Sequence, residues 1–205
     1  MYLTKISLRP NAPAVRQALE DCQQMHRQVT GLFGVDRKSG DILYRLQTGP
    51  GNCSLYLYSA VPVDRGRLLP GMRFEGERDL RDWMSAMAAG QSWGFDLLAL
   101  PAKKAPAEGR KNSQRRVLRT PAERMAWLTR KGEQNGFLLL DAQEQEYIRQ
   151  SGQHRQPDGG FYLDAYHYNG VLAIKDADTF RMALTQGIGA GKAYGMGMLL
   201  LRRLG

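Results

Sequence analysis

Apolar and polar residues alternate along "YLTKISL" (2–8), the period of a half-buried strand. From Pro13 the period changes. Val15, Ala18, Leu19, Cys22, Met25 and Val29 recur at helical spacing, which predicts one helix over 13–29 with Pro13 at its start. "DILYRLQ" and "CSLYLYSAV" predict two strands joined by the turn "TGPGN". Residues 78–90 favour helix by propensity, and "WGFDLLALP" predicts a further strand.

The second half repeats the theme. "TPAERMAWLTRK" predicts a helix: Thr120 can cap it, Pro121 suits its first position, and Glu123 completes a capping box. On it, Met125 and Leu128 are expected to face a core while Arg124 and Arg130 stay outside. "GFLLLD" and "FYLDAYHY" predict strands, and Asn169-Gly170 signals a hairpin turn into the strand "VLAIKD". "DADTFRMALTQG" predicts a helix that Asp176 or Asp178 can cap. A glycine-rich loop follows, then a last strand "MGMLLLRRL". The order of elements predicts an α+β protein of two tandem ferredoxin-like (βαββαβ, RRM-like) domains, divided as 1–95 and 96–205.

Charge sharpens this picture. The 205 residues carry a formal net charge of +9. Residues 103–131 hold ten cations against Glu108 and Glu123, a net of +8, which leaves about +1 for the rest of the chain. A local excess of this size predicts a surface for a polyanion, with nucleic acid favoured over membrane because no bulky apolar residues accompany the cations. "KKAPAEGRKNSQRR" has no apolar period and predicts a loop. Arg110, Lys111, Arg115, Arg116, Arg119 and Arg124 are the cations expected to contact the nucleic acid. Cys22, Cys53 and three scattered histidines give no zinc spacing, and no close Asp/Glu cluster suggests two-metal chemistry. No metal and no cofactor is expected. With no signal peptide pattern and no run of roughly 20 apolar residues, the expected compartment is the cytoplasm, without membrane association.

The loop "QGIGAGKAYGMG" (186–197) contains Gly187, Gly189, Gly191, Gly195 and Gly197 around Lys192. It fails the phosphate-loop pattern, because Ala193 follows Gly191-Lys192 and Gln186 stands where the first glycine belongs. It fails the dinucleotide fingerprint too, and it lies after a helix and before a strand, the reverse of both motifs. Two readings stay open: a backbone surface that lets a phosphate approach Lys192, or a glycine-lined turn.

These features coincide with a known family. "MYLTKI", "MHRQVTGLF" (25–33), "RTPAERMAWLTRKG" (119–132), "GVLAIKDADTFRMAL" (170–184) and the glycine block (186–201) together resemble the CasE family of CRISPR RNA-processing endoribonucleases, type I-E members of the RAMP superfamily. The resemblance covers nearly the whole chain in order. It implies an RNA hairpin substrate and metal-independent cleavage at the 3′ side of the repeat stem. It also implies retention of the product within the Cascade complex beside its other subunits, and a monomer when free. The family's catalytic histidine falls on His26. Some members carry a tyrosine three residues earlier, where this chain has Gln23. Lys192 and Arg27 are candidates to neutralise the charged phosphorane or to hold substrate phosphate. His154 is expected in a loop and His167 as a satisfied strand residue. The competing expectations are a non-catalytic RNA-hairpin-binding module and a metal-dependent nuclease.

Overall fold

The computed structural model describes residues 1–49, 52–105, 114–153 and 159–204. The chain begins with β1 (Tyr2–Leu8), then α1 (Pro13–Glu20) and α2 (Cys22–Gly31), where one helix was expected. Asp21 breaks it. Its backbone is extended (φ −135°, ψ 109°), and its carboxylate accepts the Gln23 backbone N–H, so a new helix starts there. β2 (Leu43–Gly49) and β3 (Asn52–Ser59) form the expected hairpin.

The strand that completes the first sheet is β4 (Met72–Asp79), absent from the sequence reading. It pairs antiparallel with β1 and gives the order β2-β3-β1-β4. The helix expected over 78–90 shrinks to α3 (Arg81–Ser85), because Arg78 and Asp79 are paired with Leu3 and Tyr2. Between β3 and β4, where a ferredoxin-like unit has its second helix, only a 3₁₀ turn at Arg65–Arg67 occurs among the described residues.

The second sheet has the order β10-β5-β9-β8. Its strands are β5 (Ser92–Ala99), β8 (Phe137–Gln153), β9 (Gly160–Ile174) and β10 (Leu199–Arg202). β5 therefore opens this sheet rather than closing the first. Two helices cover it: α4 (Pro121–Gln134) and α5 (Ala177–Gln186). The full capping box at α4 is present, and Asp176 caps α5 by accepting the Thr179 N–H. The segment expected as a loop contains β6 (Ala102–Ala105) and β7 (Gln114–Val117), paired as a hairpin.

The Asn169-Gly170 turn does not form. β9 runs straight through it, and β8 and β9 continue as a ribbon to Gln153 and Gly160. Gly170 is needed for a different reason. The register shifts between Leu139 and Asp141, and a Cβ at 170 would lie 2.1 Å from the Asp141 carbonyl oxygen. The glycine accommodates a bulge in the neighbouring strand.

Helices α1 and α2 pack on one face of the first sheet through Val15, Met25 and Val29 against Ile6, Leu55 and Leu57. Leu43 and Tyr58 of that sheet instead join the core of the second, with Phe95, Leu97, Trp127, Phe180 and Leu184. The two halves therefore share a core. Among the described residues, no helix is long and apolar enough to cross a membrane, and Cys22 and Cys53 are free thiols.

Candidate active site and RNA interface

His26 projects from α2, four residues after buried Cys22 on the helix that lies against the first sheet. Its ring is half-buried, and Nδ1 is enclosed with no hydrogen-bond partner among the described residues. Burial lowers its pKa below 6.5, and the nearby guanidinium groups of Arg37 and Arg27 lower it further. Neutral imidazole therefore dominates at pH 7, the form that can accept a proton.

The glycine loop comes from the other half of the chain and reaches this helix. Its five glycines all have φ between +73° and +81°. At Gly195 a Cβ would lie 2.8 Å from the Tyr44 ring, and at Gly197 it would lie 2.5 Å from the Ile188 carbonyl oxygen. Several loop N–H groups bond within the protein: Ile188 to the Gly197 carbonyl, and Gly197 to that of Leu98. The turn reading thus accounts for the glycines themselves. What the turn presents is a short 3₁₀ segment, Lys192–Tyr194.

Tyr194 links the two halves. Its ring packs edge-on to His26 with centroids 6.2 Å apart, and its hydroxyl donates to Gln23 Oε1 at 3.1 Å. Phe161 backs it at 5.2 Å, and Tyr44 donates its hydroxyl to the Ala193 carbonyl at 3.2 Å. Gln23, where the resemblance calls for tyrosine in some members, is thus in contact with a tyrosine hydroxyl from the loop.

Lys192 lines a cavity of about 170 Å³ with Arg37, Lys38, Asp41 and Gln186, three cations against one carboxylate. Its pKa is lowered by burial and then by Arg37 and Lys131. Cations held together in this way repel one another and favour an anion between them. Arg37 and Lys38 escaped the sequence reading, because "DRKSG" is an ordinary polar turn until the fold brings Arg37 within electrostatic reach of His26 and Lys192. Among the described residues, no group of three His, Cys, Asp or Glu could hold a metal ion.

The expected RNA-contact cations divide. Arg116 is exposed on β7, Arg119 is exposed just before α4, and both line a larger groove. Arg115 lies on β7, with its backbone alone described. Arg110, Lys111 and His154 lie outside the described residues. Arg124 is not on the surface as expected. It is 6% exposed. It donates from Nε and Nη2 to both Glu144 oxygens (2.7 and 2.5 Å) and from Nη1 to the Arg119 carbonyl (2.6 Å). Its guanidinium also lies 3.9 Å from the centre of the Tyr166 ring. Removing one partner of such a buried pair costs roughly 3–5 kcal/mol, so Arg124 serves the fold. His167 is satisfied as expected: Nε2 meets Asp96 Oδ2 at 2.6 Å, and Asp96 also pairs with Arg45 of β2 at 3.5 Å.

A family model described as "CRISPR associated protein" matches residues 1–203. The chain is 29% identical to the CRISPR-associated endoribonuclease Cse3 of Thermus thermophilus, over 97% of this chain and 98% of that protein. The structure of Thermus thermophilus Cse3 bound to an RNA representing a pre-cleavage complex superposes with a TM-score of 0.85 at 28% identity, covering 98% of each chain. A chain of a CRISPR RNA-guided surveillance complex in a pre-nicking state matches with a TM-score of 0.73 at 25% identity over the full length of both.

Proposed function

This chain belongs to the CRISPR-associated protein family, and on that premise we propose that it is a metal-independent endoribonuclease that cuts CRISPR precursor RNA at the 3′ side of the repeat stem-loop. The observation that carries the proposal is the junction of the two halves. There His26, half-buried and biased towards its neutral form, lies against Tyr194 of the glycine loop and within electrostatic reach of Arg37 from a separate turn, and Arg37 in turn shares a cavity with Lys192 of that loop. Similarity to an endoribonuclease whose structure holds an RNA in a pre-cleavage state supports it.

In the proposed reaction, neutral His26 takes the proton of the 2′-OH next to the scissile phosphate. The 2′-oxygen bonds to phosphorus, the bond from phosphorus to the 5′-oxygen breaks, and the 5′-oxygen takes a proton from solvent water while the imidazolium of His26 returns its own proton to solvent. The products are a 2′,3′-cyclic phosphate and a 5′-OH. Proton transfer of this kind contributes roughly 10²- to 10⁴-fold in rate. Lys192 and Arg37 neutralise charge that builds on the phosphorane, and such groups act most strongly where water is partly excluded. Arg27 adds to the same field. Tyr194 braces the helix through Gln23 and fixes the edge of the imidazole.

The exposed cations of β7 and of the turn before α4 hold the RNA stem through its phosphates. After cleavage the hairpin stays bound, and the protein–RNA unit joins the other subunits of a surveillance complex. Similarity to a chain of such a complex supports this last step.

The test is incubation of purified protein with a labelled repeat hairpin in excess EDTA. Cleavage to a 2′,3′-cyclic phosphate is expected. Binding without cleavage would select an RNA-binding module, and activity restored only by magnesium would select a metal nuclease.

A further inference from the structure

A second concave surface, which His26 does not line, runs along the β8–β9 ribbon. Strands β8 and β9 run for 17 and 15 residues, while α4 covers only their root, where Arg124 meets Glu144 and Tyr166. Beyond that point one side of the ribbon packs on α1 and α2, where Ser151 donates to the Glu20 carbonyl, while Tyr147, Arg149 and Tyr166 share a groove with Lys103 and Arg116 of the β6–β7 hairpin. The groove between them has a volume of about 740 Å³, within the range of ligand sites. One wall is cationic, formed by Lys103, Arg116 and Arg119; the other carries Tyr147, Arg149 and Tyr166.

The aromatic wall is held rigidly and left open. Tyr147 donates its hydroxyl to Asp164 Oδ1 at 2.5 Å, and Arg149 donates to the same oxygen at 2.9 Å. Tyr147 and Tyr166 stand with ring centroids 5.4 Å apart. The Arg149 guanidinium lies 5.9 Å from the Tyr147 ring and 5.5 Å from that of Tyr162. Yet Tyr147 is 47% exposed and Tyr162 is 69% exposed. A protein surface gains nothing in solubility from two open tyrosine rings.

The acidic groups in the groove are already engaged. Asp164 is shared as described, and Glu123 closes the α4 capping box. Neither the Arg116 nor the Arg119 side chain has an ion-pair partner among the described residues. A flat ring with a phosphate attached satisfies both walls at once: the ring stacks on Tyr147 and Arg149, and the phosphate meets the arginines. A paired base inside a stem cannot expose its face, so the occupant is an unpaired nucleotide.

We propose that the groove between the β6–β7 hairpin and the β8–β9 ribbon is a nucleobase-stacking site that takes one unpaired nucleotide of the hairpin RNA. This rests on the hairpin-binding reading above and adds a second contact with its own chemistry, distinct from the cleavage site at His26. Because the platform is fixed before RNA arrives, little ordering entropy is lost on binding.

The experiment uses the full-length chain and the repeat hairpin carrying 2-aminopurine at each unpaired position in turn, a base whose fluorescence is quenched by stacking. Quenching at one position is expected on binding to the wild type. Tyr147→Ala should relieve it and weaken affinity on the order of tenfold, while Tyr147→Phe, which keeps the ring, should retain both. Arg149→Ala, at a side chain that lines the groove and is 57% exposed, gives a second variant less liable to disturb folding and should also reduce quenching. An abasic nucleotide at the quenched position should weaken wild-type binding equally and make Tyr147→Ala silent. Binding with no quenched position, or a Tyr147→Ala loss that persists on the abasic RNA, overturns the stacking site alone. Failure of the wild type to bind any repeat hairpin overturns the hairpin reading beneath it.

Discussion

His26 is subject to two opposing influences. In the free protein, burial and then the charges of Arg37 and Arg27 disfavour imidazolium, so the group titrates below 6.5. An RNA phosphate placed among the same cations reverses the sign, because a nearby negative charge favours the protonated ring. NMR titration of His26 should therefore give a midpoint below 6.5 in the free protein and an upward shift with a 2′-deoxy hairpin that cannot be cut. A free-state midpoint at or above 6.5 would contradict the environment described. His26 and Lys192 could be singled out as candidates from the sequence because they sit in recognisable blocks. Arg37 was not, since only the tertiary fold brings it near them. Arg124 was misjudged for an instructive reason. It stands three and four residues before Trp127 and Leu128, both buried, so its spacing puts it on the inner face of α4. Its charge suggested the surface, and the partner that makes burial tolerable, Glu144, lies 20 residues away on β8.

Among the elements, those with strong local signals were readable. The capping box and Pro121 marked the start of α4, and the pair Asp176 and Asp178, of which Asp176 is the cap, marked that of α5. The unread elements take their stability from partners distant in sequence. β4 is a sheet-edge strand with the polar sequence "MRFEGERD", and its pairing with β1 holds it. β6 and β7 are four-residue strands in a charged segment with no apolar period. Asn169-Gly170 is a local turn signal overridden by the ladder on both sides of β9. The β6–β7 hairpin and the turn before α4 carry a prediction of their own. If Arg116 and Arg119 contact RNA phosphates, replacing both with Ala should weaken hairpin binding and lower the slope of log affinity against log salt by about 1.4–1.8. An unchanged slope would remove these residues from the interface.

Across the whole molecule, neither half carries the proposed site alone. The first supplies His26 and Arg37; the second supplies Lys192 and Tyr194. Leu43 and Tyr58 of the first sheet lie in the core of the second, and the bridge from Arg45 through Asp96 to His167 crosses the same boundary. Tandem ferredoxin-like architecture was legible from the order of elements, but the shared core was not, because contact between two sheets leaves no period in either sequence. In the proposed function this joint is what lets the histidine of one half and the cationic loop of the other serve one phosphate. On the proposed reading it also separates cutting from holding, since the groove lined by Arg116 and Arg119 does not include His26. The most direct measurement is single-turnover cleavage and affinity of His26→Ala on the repeat hairpin, side by side with the wild type. The account predicts that cleavage falls by roughly 10²-fold or more while the dissociation constant changes little. Cleavage that survives at the wild-type rate, or that is lost only in step with binding, would contradict it.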